Sequence, residues 1–337
     1  MICHSYLAIA GIKPNYMLKN LWYAVEFSDA VTTHPTLLKI FDRELVLYRT
    51  SDGHIQAMAN ACVHRGAALA NGWIDRDCIV CPYHGWHYQP DGSCVKIPSI
   101  TTGNIPKSAR MTTDPVQEKY GWIWLFLGDG SPGEIPSLPN FPQVEASNLR
   151  SIQGEFDWNA NYERVLENGL DFAHAPFVHA GAFGNPDLPQ IADLEIENFA
   201  EGASATVHLA ATPPQGLWKL LVRGERAPIK TRTGFCLPNI TFLEVYLPFG
   251  QLTIWTAHVP IDLHTTVSKW INFRTFFTGK WADKDAYNRT IKIFEQDKPI
   301  VESQRPQLIP DDLKTELYVP ADALQLQYRK LRQYLLS

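Results

Sequence analysis

The chain lacks a run of apolar residues long enough to cross a bilayer, a cluster of Lys and Arg, and any abundance of charge, with only 19% of its residues charged. The first absence argues against a membrane span. The second, with a net charge of -5, removes the basic face that a nucleic-acid backbone or an anionic lipid surface requires. No self-similarity at a period of about 20 to 50 residues marks a solenoid or propeller. The N-terminus MICHSYLAIAGIKPNYMLKN has neither the basic start nor the apolar core of an export signal, so the expected location is the cytoplasm. In that reducing compartment the six cysteines point to metal binding before disulfides.

What is present describes an ordinary globular protein: 337 residues, 45% hydrophobic and 12% aromatic. That length favours two packed units. Leu21–Phe27, the stretches from Leu37, Glu44 and His54, and the strongly apolar stretch after Lys119 have the alternation or apolar runs of short strands. Four prolines between Ser131 and Gln143 read as a connector. We therefore expect an α+β protein with units at 18–130 and 140–337. In the second, Tyr162, Val165, Leu166, Leu170 and Ala173 are spaced for a helix that Pro176 should stop. Three or four long antiparallel strands are expected from Thr231 to Phe277, then an amphipathic helix from Asp283 in which Pro299 predicts a kink.

The stretch CVHRGAALANGWIDRDCIVCPYHGWH, Cys62 to His87, holds three cysteines and three histidines. Cys62-x-His64 and Cys81-x-x-His84 each precede a glycine, and two Cys-His pairs on two loops form the pattern of a Rieske centre, where one iron takes two thiolates and the other two imidazoles. Zinc could use the same four side chains. Cys78-x-x-Cys81 could be a redox pair, but Pro82 and Gly85 make turn chemistry where that motif needs a helix start. Cys78 could replace Cys81, yet only Cys81 has a histidine three residues on. Cys78, His87 and Cys94 are read as non-ligands, and Arg65, Tyr83 and Trp86 as cover for the centre.

A second cluster decides whether such a centre only stores electrons. Asp171, His174 and His179 stand as D-x-x-H-x4-H; on a helix Asp171 and His174 would share a face, with His179 folding back after Pro176. Two histidines and one carboxylate make the facial triad of non-haem Fe(II) oxygenases. Asp297 falls on or beside the apolar stripe Tyr287, Ile291, Phe294 and Val301 of the late helix, where an acid is costly unless paired or metal-bound. The bland alternative pairs it with Lys298 or Arg305. Asp171 is then available to orient a ligand histidine, whereas Glu295 and Glu302 read as solvated. Phe235, Phe242, Tyr246, Trp255 and Trp270 are available to line a pocket; the sequence does not settle which of them face inward, and the expected role of each is plain core packing.

With C-x-H-R-G, C-P-Y-H-G-W, N-x-x-D-x-x-H-x4-H and Q-D-x-x-x-x-E-x-Q together, the chain resembles the catalytic alpha subunit of Rieske non-haem iron oxygenases over nearly its whole length. LDFAHAPFVH looks closest to the branch with vanillate and dicamba O-demethylases, saxitoxin-pathway hydroxylases and chlorophyllide a oxygenase. The resemblance implies an all-β Rieske domain followed by a helix-grip catalytic domain. It implies that Cys62, His64, Cys81 and His84 hold a 2Fe-2S cluster and that His174, His179 and Asp297 hold the mononuclear iron. Asp171 would be the carboxylate bridging the two centres across the subunit interface of a homotrimer, and Asn168 a neighbour of the iron. A reductase or ferredoxin would supply electrons, and O2 would be used to hydroxylate a C–H bond or to demethylate a small substrate. Ring cis-dihydroxylation is the alternative among enzymes; an electron carrier with a non-functional second site is the alternative outside them.

Overall fold

Residues 16–101, 103–130, 135–141, 149–179, 184–191, 193–211 and 227–337 are described by the computed structural model. Ten short strands come first: β1 (Leu21–Phe27), β2 (Thr36–Ile40), β3 (Arg43–Arg49), β4 (Ile55–Ala59), β5 (Trp73–Asp75), β6 (Cys78–Val80), β7 (His87–Tyr88), β8 (Cys94–Lys96), β9 (Val116–Lys119) and β10 (Trp122–Leu127). They pair antiparallel in three small sheets, ordered β1-β10-β9, β2-β3-β4 and β5-β6-β7-β8. The uninterrupted WIWLFL of β10 is buried at every position because both of its faces are covered. Ile123 and Leu125 meet Tyr23, Leu45 and Leu47 on one side; Trp122, Trp124 and Phe126 join a second cluster on the other. The predicted connector lies partly outside the described residues.

The second part contains β11 (Arg150–Trp158), α1 (Tyr162–Leu170), α2 (Ala175–Val178), β12 (Glu195–Phe199), β13 (Gly202–Leu209), β14 (Ile229–Cys236), β15 (Ile240–Leu247), β16 (Gly250–Pro260), β17 (Thr266–Arg274), α3 (Asp283–Ser303) and α4 (Ala323–Leu336). Its strands form one antiparallel sheet ordered β11-β17-β16-β15-β14-β13-β12. The four strands β14 to β17 answer the expectation from Thr231 onward; β11, β12 and β13 extend the sheet at both ends.

Period-two alternation divides the sheet's residues between two neighbours. Phe242, Trp255, Ala257, Ile271 and Phe273 pack on Trp22, Trp124 and Phe126, so the two parts of the chain share a core. Buried Asn239 ties the same seam, its amide donating to Ala24 O at 2.8 Å and its carbonyl accepting from Ala24 N at 3.2 Å. The opposite face takes the helices: α1 lies on β14, β15 and β16, α3 on β11 and α4 on β13. Buried Arg329 and Arg332 of α4 pair with Glu167 and Glu163 of α1. Each arginine also meets a second carboxylate, Glu316 for Arg329 and Asp311 for Arg332, so a charge network around the buried arginines fixes how α4 seats on α1. Asp283 starts α3 between Arg150 of β11 and Arg274 of β17. The helix continues past Pro299 to Ser303.

One local expectation is corrected. The helix that begins after Asn161, whose side chain accepts from Glu163 N, ends at Leu170 and does not reach Pro176. Gly169 weakens its last turn, and the Asp171 carboxylate accepts from Ala173 N at 2.7 Å, a side-chain turn that competes with helix continuation. Pro176 instead sits in the first turn of α2, where its missing N–H is harmless. Asp171 and His174 are therefore not residues of one helical face: they cap the end of α1 and the start of α2. No described helix is long and apolar enough to cross a membrane.

Candidate metal centres

Two loops of matching form bring together Cys62, His64, Cys81 and His84. Gly66 N donates to Cys62 O at 2.8 Å and Gly85 N to Cys81 O at 3.0 Å, closing each loop four residues after its cysteine. Both glycines adopt positive φ, 72° and 68°, where a side chain would be strained, which explains C-x-H-x-G beside C-x-x-H-G. The cysteines are buried and the rings of His64 and His84 lie 4.4 Å apart, with His64 stacked on Trp86 at 4.3 Å. Burial pushes the Cys81 thiol up, opposed by the backbone N–H groups of Tyr83 and His84 that face its sulfur. His64 Nδ1 is buried without a hydrogen-bond partner. Two thiols and two imidazoles, with ring nitrogen and sulfur unclaimed by strong partners, suit a metal cluster.

Cys78, Cys94 and His87 have other surroundings. His87 bonds Gly85 O through Nδ1 at 2.8 Å and Asp75 of β5 through Nε2 at 3.3 Å, so both ring nitrogens have partners. Cys94 contacts Lys96 O, and Cys78 belongs to β6. Tyr88 was not singled out in the sequence; its hydroxyl lies 3.1 Å from Cys62 Sγ, and only the fold of β7 places it there. Tyr83 is 65% exposed and lies against the His84 ring.

The second centre joins two elements. His174 and His179 flank α2, and Asp297 arrives on the buried stripe of α3 with Thr290 and Val301. The Nε2 atoms of His174 and His179 are 3.2 Å apart, and Asp297 Oδ1 lies 3.1 Å from His179 Nε2 and 3.5 Å from His174 Nε2. Three donors bound to one cation at about 2.1 Å and right angles would be separated by about 3 Å, so the triangle fits one face of a six-coordinate ion. Asp297 Oδ1 is buried without a conventional hydrogen bond. The bland pairing fails: Lys298 bonds Glu302, and Arg305 bonds the carbonyls of Glu302 and Gln304. Glu302 is not simply solvated, because it also accepts from Asn159 N at 2.8 Å.

Neighbouring groups orient these donors. His179 Nδ1 lies 3.0 Å from Gln296 Oε1, directing Nε2 to the centre. Asp171 Oδ2 is 3.7 Å from His174 Nδ1. Burial alone would lower His174, but Asp171 and Asp297 outweigh it and hold the ring above its ordinary value. Gln296 was quoted in a motif without a role; its signal was adjacency to Asp297 on a helix.

The triad borders a cavity of about 120 Å3, roughly ten times the space one water needs. Asn168 and Asp171 are in its wall, as are alternating residues of three strands: Thr231 and Thr233; Thr241, Leu243 and Val245; Ile254, Thr256 and His258. Of the five aromatic candidates Phe242 alone borders it, and its ring stacks on Trp255 across the sheet. Phe235 packs on Tyr328, Trp270 near Phe294 and Tyr287, and Tyr246 bonds Glu244. Trp158, Phe172 and Phe294 complete the aromatic wall.

Comparison with known proteins adds to this geometry. The Rieske [2Fe-2S] domain matches residues 21–113, and the vanillate O-demethylase oxygenase C-terminal domain matches residues 158–337. The chain belongs to the Rieske non-haem iron oxygenases. It is 31% identical to methylxanthine N1-demethylase NdmA of Pseudomonas putida, over 93% of this chain and 88% of that one. It is 30% identical to the toluene-4-sulfonate monooxygenase iron-sulfur subunit TsaM1 of Comamonas testosteroni, over 95% and 97%. The structure of NdmA with caffeine superposes with a TM-score of 0.80 at 27% identity, covering 94% of this chain and 90% of that one. Dicamba monooxygenase bound to dicamba, at 20% identity and a TM-score of 0.77 over 95% and 98%, shares the fold. The oxygenase has the family's all-β Rieske domain ahead of its catalytic domain, and its cofactors are a Rieske 2Fe-2S cluster and a mononuclear iron.

Proposed function

We propose that this terminal oxygenase removes, by oxidation, a methyl group carried on nitrogen or oxygen of a small ring compound. The observation that carries the reading is the convergence of His174, His179 and Asp297 on an apolar cavity with room for one compact ring. The relatives named as demethylases support that choice of reaction. We assign Cys62, His64, Cys81 and His84 to the cluster, and His174, His179 and Asp297 to the iron. Units at 18–130 and 140–337 would then each hold one centre.

Bound in this way, the cluster would supply single electrons and the iron would supply O2 activation. The chain's own part is geometric. Gln296 accepts from His179 Nδ1–H, turning Nε2 toward the iron site; Asp171 Oδ2 faces His174 Nδ1 from 3.7 Å. Leu243, Val245, Ile254, Ile293 and Phe294 exclude water around the methyl group. One O2, two electrons and two protons convert the methyl to hydroxymethyl and one water; on nitrogen or oxygen the hydroxymethyl group then leaves as formaldehyde. A reductase or ferredoxin is the electron donor.

Asp171 is also the candidate bridge to a second subunit's cluster in a homotrimer. Its side chain is 31% exposed and His84 is exposed, so both reach the surface that such an assembly would bury. Light scattering of the purified protein reads the trimer, and the cytoplasmic location follows from fractionation. For the reaction, the iron-loaded oxygenase, a Rieske-oxygenase reductase and NADH are incubated with methylxanthines and methoxybenzoates under labelled O2. The reading expects formaldehyde mole for mole with oxidised NADH. Label appearing as a ring cis-diol without formaldehyde overturns it.

A further inference from the structure

Beside the triad, a chain of hydrogen bonds runs through the sheet from Trp158 to the cavity wall. The Trp158 indole N–H donates to Ser268 Oγ at 2.8 Å. Ser268 Oγ lies 2.9 Å from His258 Nδ1, and His258 Nε2 lies 2.8 Å from Thr241 Oγ1. All four residues are buried, and Trp158, His258 and Thr241 border the cavity.

Trp158 fixes the direction of this chain, because an indole nitrogen can only donate. Having accepted from Trp158, Ser268 has one proton of its own and, among the described residues, one other partner, His258 Nδ1. It therefore donates there. Burial pushes His258 down to about 3, so the ring is neutral and carries a single proton, at Nε2. That proton goes to Thr241 Oγ1. Thr241 then accepts from His258, and its own hydroxyl proton has no acceptor among the described residues. The opposite polarity would leave the proton of fully buried Ser268 with nowhere to go.

We propose that Thr241 selects the substrate by polarity: its hydroxyl is held as a donor into the cavity, and the substrate sets an acceptor against it, a carbonyl oxygen or an unprotonated ring nitrogen. Neighbouring hydroxyls are not arranged this way. Thr233 is engaged with Gly169 O at 2.7 Å and Phe242 O at 2.8 Å. Thr256, opposite Thr241 on β16, has no hydrogen-bonded partner among the described residues to fix its direction. Ser268 and His258 are positioning residues in this scheme, acting only through Thr241. The proposal rests on the cavity being the substrate site.

The test uses two probes of similar size on the anaerobic, iron-loaded oxygenase: N-methyl-2-pyridone, which has an acceptor and no donor, and toluene, which has neither. Calorimetry gives the ratio of their dissociation constants. Thr241→Val should reduce the preference for the pyridone about tenfold, and Thr241→Ser should keep it within about twofold. Ser268→Ala, which frees His258 to take the other tautomer and turns Thr241 toward it, should also reduce the preference. A ratio unchanged in Thr241→Val while toluene still binds overturns the proposal and leaves the demethylase reading intact. Failure of both probes to bind the wild-type cavity overturns the substrate-site reading, and the proposal with it.

Discussion

The two metal centres of this oxygenase are built on opposite plans. At the cluster centre, four candidate ligands come from two loops within the span Cys62 to His84, each closed by its own backbone hydrogen bond and a left-handed glycine. At the candidate mononuclear centre, His174 and His179 meet an aspartate from the far helix α3, whose first residue, Asp283, is held between Arg150 and Arg274. A locally closed site depends on its own loops. An assembled one depends on every contact that positions its parts, so distant substitutions should reach it.

The largest expected effects separate the centres. Cys81→Ser should lose the acid-labile sulfide and the visible absorbance and keep the mononuclear iron, whereas His179→Ala should lose that iron and keep the cluster spectrum. Turnover falls to background in both. Metal analysis beside absorbance checks the pair, and a His179→Ala protein with undiminished iron would contradict the assignment. Next, Gln296→Ala should weaken mononuclear iron binding about 10- to 100-fold with the cluster spectrum intact. Asp283→Asn, at the other end of α3, should weaken it in the same direction. Iron titration under a competing chelator measures both; an equal loss of sulfide would erase the contrast between the two plans.

Acid should act on the assembled half through His258. The unfolded residue takes up a proton near pH 6.5, while the folded one stays neutral down to about 3. Protonation therefore favours the unfolded chain throughout that window, and stability is lost as pH falls. Between pH 6.5 and 5 this residue alone contributes a loss of about 2 kcal/mol. Denaturant unfolding should show that slope in wild type and a shallower one in His258→Asn; an equally steep variant assigns the acid sensitivity elsewhere. The smallest effect belongs to the local half. Tyr88→Phe removes a hydroxyl from Cys62 Sγ, and with it stabilisation of the charge added on reduction. A hydrogen bond worth about 1 kcal/mol corresponds to a potential lower by about 40 mV, read by redox titration.

Much of the local half was legible in the sequence. The strands β1 to β4 and β10 follow from alternation and apolar runs, and the two Cys-His pairs follow from spacing that one loop can satisfy by itself. Asp297 was legible for a related reason: a carboxylate on the buried stripe of an amphipathic helix needs a partner, and Glu302 and Lys298 pair with each other instead. The end of α1 was misread because helical spacing continues through Ala173, while the Asp171 carboxylate turns the chain by bonding Ala173 N. Which strand aromatics would reach the cavity was not legible, because a strand residue has two faces to choose from and, on the cavity's own face, helices cover part of the sheet. Trp255 took the opposite face, Trp270 took the cavity's face but lies under Tyr287 and Phe294 of α3, and Trp158 and Phe294 came from β11 and α3.

The sequence by itself determined the chemistry available: which thiols, imidazoles and carboxylates exist, and which of them a single loop or helix must hold together. Tertiary structure alone decided what those groups face. Tyr88 reached Cys62, Gln296 reached His179, and Trp158, Ser268, His258 and Thr241 lined up across three strands and β11. Each of these contacts joins residues whose meeting depends on sheet register and helix placement, and hydrogen bonds act only over a few ångströms.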